Sequence, residues 1–323
     1  MMLSILAVIS GFLLLVWSAE RCVMGALATA RNFGVSPMVI GLTIVGFGTS
    51  SPELLVSGMA SWSGNTGLAI GNAVGSNIAN IGLVLGTTAL LAPLTVSSDT
   101  LRRELPLLLA VTLLAYWLVA DGVLGRFDGA LLFISLITLI YLVVRIGLNS
   151  RSGSDPLPAE VEAELPAAMT TGRALFWLFL GLIVMLASSR LLVWGSVNIA
   201  QIFGVSDLVI GLTIIAIGTS LPELMASVMS VMKKESDLAL GNIIGSNMFN
   251  LLGVLSLPGL IHPGGFEAAV LIRDFPVMVG LTLVMFMMAY GFRGQRCIGR
   301  LEGGALLLAF GGYMVWLYIT AIA

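Results

Sequence analysis

Apolar residues in this chain run in long unbroken stretches, without the period-two alternation of half-buried strands. Ten stretches stand out, at about 3–27, 35–60, 68–92, 105–120, 128–146, 173–200, 207–232, 238–260, 275–291 and 301–321. Crossing a bilayer as a helix takes roughly 17–25 apolar residues, so each is read as a span, those at 105–120 and 275–291 being short. Continuous runs predict helices, because an alternating pattern is what a membrane barrel requires. The one long polar segment, residues 147–172, carries three prolines and the acids Asp155, Glu160, Glu162 and Glu164. It reads as a solvated linker, too short to hold a folded domain. It divides the chain into 1–146 and 173–323, with five spans in each part.

The two parts repeat one another. Residues 41–58 read GLTIVGFGTSSPELLVSG and residues 211–228 read GLTIIAIGTSLPELMASV, with eleven of the eighteen positions identical. The register continues through Gly71-Asn72-x-x-Gly75-Ser76-Asn77-x-x-Asn80 and Gly241-Asn242-x-x-Gly245-Ser246-Asn247-x-x-Asn250. Arg103-Glu104-Leu105-Pro106 likewise matches Arg273-Asp274-Phe275-Pro276. Five spans is an odd number, so the second copy enters the membrane from the opposite side. The expected fold is therefore an all-α membrane protein of ten helices in two inverted-topology repeats.

A mean hydropathy of +1.05 excludes a soluble domain. The net charge of −2 says little, but the placement of basic residues sets an orientation. With the N-terminus outside, twelve face inward: Arg21, Arg31, Arg102, Arg103, Arg145, Arg151, Arg173, Lys233, Lys234, Arg293, Arg296 and Arg300. Arg126 and Arg273 face outward, and Arg190 falls within a span. That asymmetry predicts both termini outside. Ala26-Leu27-Ala28 resembles a signal cleavage site, but no basic region precedes it and the segment has a counterpart at 173–200, so it is read as a retained span. Cys22 and Cys297 lie near the reducing face and His262 in an outer loop, none with metal-ligand spacing.

The chemistry sits in the duplicated block. Proline within a helix removes one backbone donor and clashes with the carbonyl four residues back. Pro52 thus frees the carbonyl of Gly48, and Pro222 that of Gly218, near the middle of spans 2 and 7. Both helices are expected to be discontinuous there. Glu53 and Glu223 follow directly, and inverted symmetry should bring the two carboxylates together. Bare, they would repel and tend to hold a proton; a divalent cation or several monovalent ones would relieve them. Asn72, Ser76 and Asn80 form a polar stripe on span 3, and Asn242, Ser246 and Asn250 one on span 8. Ser76, Asn80, Ser246 and Asn250 favour ion contact, whereas interhelical hydrogen bonding serves Asn72, Asn77, Asn242 and Asn247 equally well. All these donors are hard oxygens, which suits calcium or sodium over zinc or copper.

Gly48-Thr49-Ser50-Ser51-Pro52-Glu53 and Gly218-Thr219-Ser220-Leu221-Pro222-Glu223, each followed by its GN-x-x-GSN-x-x-N block, resemble the alpha-repeats of the sodium/calcium exchangers, within the calcium/cation antiporter superfamily. The repeats cover about 35–92 and 207–260, and the likeness extends over the whole chain. It implies exchange of sodium for calcium through one calcium and several sodium sites between the repeats. Glu53 and Glu223 would share the calcium with the carbonyls of Thr49 and Thr219. Ser50, Ser76, Ser220 and Ser246 would serve sodium sites with the carbonyls of Gly46 and Ala216, and Asn80 would line the central site. Asn250 stands where some close relatives carry aspartate, which leaves the cluster two formal negative charges and the coupling ratio open.

The resulting expectation is a secondary transporter with calcium and sodium ions as substrates, working by alternating access, with no cofactor, no nucleic acid and no enzymatic reaction. Spans 1 and 6 carry no motif residues and suit the moving gate. The rivals are a proton/calcium or other cation/proton antiporter of the same fold, a cation channel, and an intramembrane hydrolase. The last lacks a Ser–His pair or paired aspartates within the spans.

Overall fold

In hydrocarbon a backbone must satisfy its own hydrogen bonds, and the apolar runs do so as helices. A computed structural model describes residues 1–97, 100–149, 169–203, 216–290 and 297–322. In chain order the helices are α1 (Met2–Phe33), α2 (Pro37–Thr49), α3 (Ser51–Trp62), α4 (Thr66–Leu91), α5 (Leu105–Leu118), α6 (Arg126–Asn149), α7 (Thr171–Ile202), α8 (Ala216–Thr219), α9 (Leu221–Met232), α10 (Ser236–Ile261), α11 (Val270–Tyr290) and α12 (Arg300–Ile322). Among the described residues seven helices are long and apolar enough to cross a membrane, and the bent pair α2–α3 makes an eighth. With α5 and the broken α8–α9, they form the ten spans of two five-helix repeats.

Two short strand pairs show the inversion. β1 (Leu94–Thr95) and β3 (Gly264–Gly265) each follow the third span of their repeat, and β2 (Val123–Leu124) and β4 (Cys297–Ile298) each precede the fifth. β1 pairs with β4 and β2 with β3, both antiparallel. Each pairing thus joins one repeat to the other, as a pseudo-two-fold axis in the membrane plane requires.

The helices pack in two bodies. The larger core takes its buried side chains from α4, α5, α10, α11 and neighbours, including Ile70, Leu85, Leu108, Ile243, Leu252 and Phe275. A separate cluster joins α1 to α7 through Leu15, Cys22, Ala26, Leu178, Leu182 and Met185. At 32 residues each, α1 and α7 are about 48 Å long at 1.5 Å per residue, so they must tilt. They cross antiparallel with their backbones in contact. A Cβ at Gly25 would meet the backbone of Leu178, and one at Gly181 the backbone of Cys22. Small residues allow such close approach where burial from water drives nothing.

The structure moves two expected boundaries. Spans 4 and 9, read as 105–120 and 275–291, begin with π-helical turns at Thr100–Glu104 and Val270–Asp274. Charged residues there (Arg102, Arg103, Glu104; Arg273, Asp274) end the apolar run but not the helix. Asp274 accepts hydrogen bonds from Arg273 Nε at 2.7 Å and Tyr313 Oη at 3.0 Å. π-turns also follow the polar stripes of α4 and α10, at Asn80–Leu85 and Asn250–Val254. Most of the linker 147–172, the first half of span 7, and Arg151, Arg293 and Arg296 lie outside the described residues.

Candidate functional site

Both broken spans fail at the same serine. Ser50 (φ −81°, ψ 7°) separates α2 from α3, and Ser220 (φ −87°, ψ 3°) separates α8 from α9. The bend between α2 and α3 is 45°. The prolines sit at the start of α3 and α9, where a missing amide proton costs nothing. Glu53 and Glu223 therefore lie in the first turn of their half-helices, where the backbone dipole favours negative charge.

The two carboxylates share one buried region, each 1% exposed. Ser50 Oγ of the first repeat donates to Glu223 Oε1 of the second at 3.1 Å. Among the described residues no basic side chain forms an ion pair with either glutamate. Yet Glu53 Oε2 and Glu223 Oε2 are buried without a hydrogen-bond partner. So are Ser220 Oγ and both amide atoms of Asn80 and Asn250. A buried group left unsatisfied costs roughly 1–3 kcal/mol, and more if charged, so a bound proton or cation would relieve the carboxylate oxygens of this cluster. The carboxylate, hydroxyl, amide and carbonyl oxygens gathered here are hard donors, of the kind that suits calcium or sodium.

The remaining expected residues divide by role. Asn72 Nδ2 donates to the Glu53 carbonyl at 3.1 Å and to Ser57 Oγ at 2.9 Å. Asn242 Nδ2 repeats this with the Glu223 carbonyl at 3.1 Å and Ser227 Oγ at 2.9 Å. These asparagines pin the half-helix bearing each glutamate to the next span, so hydrogen bonding describes them. Asn77 Nδ2 lies 3.3 Å from the Asn247 carbonyl across the repeats. The Thr49 hydroxyl lies 3.2 Å from Asn242 Oδ1 and 3.3 Å from both Ser246 Oγ and the Gly46 carbonyl. Ser246 Oγ also donates to the Gly46 carbonyl at 3.3 Å. Thr219 is half-buried and Ala216 opens α8.

Two features escaped the sequence reading. Ser57 and Ser227 are identical in both copies, so the repeat contained the signal. Ser189 on α7 donates to the Gly218 carbonyl at 2.9 Å, the carbonyl freed by Pro222. Its counterpart in the first repeat is Ala19, so comparing the copies could not find it. His262 ties the end of α10 to the start of α4, accepting from Thr66 Oγ1 at 2.9 Å through its carbonyl.

CaxA of Alkalimonas amylolytica is 52% identical over 98% of this chain and 99% of its own length. The inner membrane protein YrbG of Escherichia coli is 44% identical over 98% and 96%. The sodium/calcium exchanger MaX1 of Methanosarcina acetivorans is 31% identical over 97% and 98%. The solved structure of the sodium-calcium exchanger NCX_Mj superposes with a TM-score of 0.84 at 32% identity, covering 97% of this chain and 98% of that one. Residues 3–145 and 173–319, both repeats in nearly full length, match the family described as sodium/calcium exchanger protein. With its duplicated glutamate motif, its inverted ten-span fold and this match, the chain belongs to the sodium/calcium exchanger family, which is a family of membrane transporters and not of enzymes.

Proposed function

We propose that this protein exchanges sodium for calcium across a prokaryotic inner membrane by alternating access, with both termini outside. The observation that carries the reading is the pair of buried carboxylates, Glu53 and Glu223, without a basic partner among the described residues. Calcium bound between them, with the Thr49 and Thr219 carbonyls, neutralises the pair. Sodium ions do so in turn at Ser50, Ser76, Ser220 and Ser246 with the Gly46 and Ala216 carbonyls, Asn80 and Asn250 lining the centre. A site that crosses only when its charge is neutralised couples the two fluxes, since both ions compete for the same oxygens. MaX1 and NCX_Mj, both named as exchangers of these ions, support the choice of substrates. YrbG, named as an inner membrane protein, supports the location.

The test is calcium uptake into proteoliposomes with sodium, potassium and pH gradients imposed one at a time. An outward sodium gradient should drive uptake, and a proton or potassium gradient should not. Uptake driven by pH without sodium would establish the second reading, a calcium/proton antiporter. Asn250 favours that reading, because asparagine leaves two fixed charges where three would call for more cations. Flux that follows the calcium gradient regardless of counter-ion would make the protein a channel.

A further inference from the structure

The α1/α7 pair meets the rest of the molecule through a thin contact, chiefly Ile40, Val45, Ala226, Met229 and Leu238. Among the described residues, two polar links that cross that contact reach the second repeat. Ser189 of α7, 5% exposed, donates to the Gly218 carbonyl at 2.9 Å. Glu20 of α1 pairs with Lys233, just past α9, at 3.0 Å.

The repeat states what the mirror image of each link would be. At the offset of 170 residues, Ser189 corresponds to Ala19 and Gly218 to Gly48. Glu20 corresponds to Arg190, and Lys233 to Ser63. Alanine has no hydroxyl to offer the Gly48 carbonyl, and Arg190 with Ser63 makes no ion pair. An inverted repeat reaches its opposite state when the two copies exchange roles. In that state both side-chain links would be lost, and neither Ala19 nor Arg190 can supply the equivalent contact.

The present state is itself lopsided. Gly241, Asn242 and Gly245 on α10 are buried, whereas Gly71, Asn72 and Gly75 on α4 are half-buried. Among the described residues the Asn72 side of the site is therefore the less buried one, facing the surface where α4 begins. In the proposed orientation that surface is external.

We propose that Ser189 and Glu20 are positioning residues that hold the α1/α7 pair against the second repeat and so favour the state open on the Asn72 side. This rests on the exchange cycle proposed above. A ligand binding one state has an apparent affinity scaled by that state's population, so the bias should appear in the calcium KM on each face. Removing the Ser189 hydroxyl leaves a buried carbonyl unsatisfied, worth roughly five- to tenfold in the equilibrium. The half-exposed Glu20–Lys233 pair is worth about two- to threefold.

The experiment uses the full-length protein in right-side-out and inside-out vesicles, with calcium KM measured on both faces. The ratio of inner to outer KM should fall by those factors in Ser189→Ala and Glu20→Gln. It should also fall in Ala19→Ser, which supplies the missing hydroxyl to the opposite state and leaves Ser189 in place. A merely structural role would lower transport on both faces and leave the ratio alone. An unchanged ratio in all three variants, with calcium exchange still running, overturns the proposal and leaves exchange standing. A wild-type protein that moves no calcium against sodium removes both.

Discussion

Two glutamates carry the charge of this site, and each is held in place by the peptide bond that follows it. The Glu53 and Glu223 carbonyls accept from Asn72 and Asn242, which fixes the carboxylates without consuming their oxygens. Glu53→Gln and Glu223→Gln preserve shape and remove one charge each. Either should abolish sodium-driven calcium uptake while the protein elutes and melts like wild type in detergent. Normal exchange in either variant excludes that glutamate as a ligand. Both glutamates, the hydroxyl neighbours and the Asn80 and Asn250 pair are visible in the sequence, because an ionisable residue inside an apolar span needs a functional partner. Which oxygens remain unpaired is not visible there, since that depends on distances across the repeat axis such as Ser50 to Glu223.

At the scale of elements, the breaks in spans 2 and 7 follow from proline and lie one residue before Ser51 and Leu221, as local chemistry requires. The asparagine pins show what the helices gain from one another. Asn242 is fully buried and also faces Thr49, whereas Asn72 is half-buried. Asn242→Ala should therefore cost about 2–3 kcal/mol and Asn72→Ala about 1–2 kcal/mol, at roughly 1 kcal/mol per hydrogen bond, read as a lower Tm in detergent. Equal losses would contradict the difference in burial. The turn between α9 and α10 offers a second test. Glu235 sits at the N-cap of α10 without a capping hydrogen bond, whereas its counterpart Asn65 accepts from Leu68 N. Burial, and then the charge of Asp237, push the Glu235 carboxyl up to about 7. A raised carboxyl favours the folded state while protonated. That contribution is present at low pH and is lost as pH rises toward about 7. Glu235→Gln should thus raise Tm at pH 8 and leave it nearly unchanged at pH 4.5. The π-turns opening spans 4 and 9 could not be read, because a charged residue ends a hydropathy run whether or not the helix continues.

For the whole molecule, the prediction concerns sidedness. Ser63 and Lys234 lie at the far ends of the two broken spans and must face opposite surfaces. With Cys22 and Cys297 replaced, a cysteine at position 63 should react with an impermeant maleimide in intact cells. A cysteine at position 234 should react only after permeabilisation. The reverse pattern would invert the proposed orientation.

The duplicated sequence by itself determined the ten spans, their inversion, the two breaks and the charged pair. These follow from run length, parity and proline, each of which acts along the chain. Only the tertiary structure decided which polar groups are spent on packing and which are left without a protein partner. It also showed that α1 and α7 pack chiefly on one another, and that among the described residues the two repeats are not equivalent. Such features arise where the copies meet, as at Ser189 and Glu20, whose counterparts Ala19 and Arg190 cannot make the same contacts.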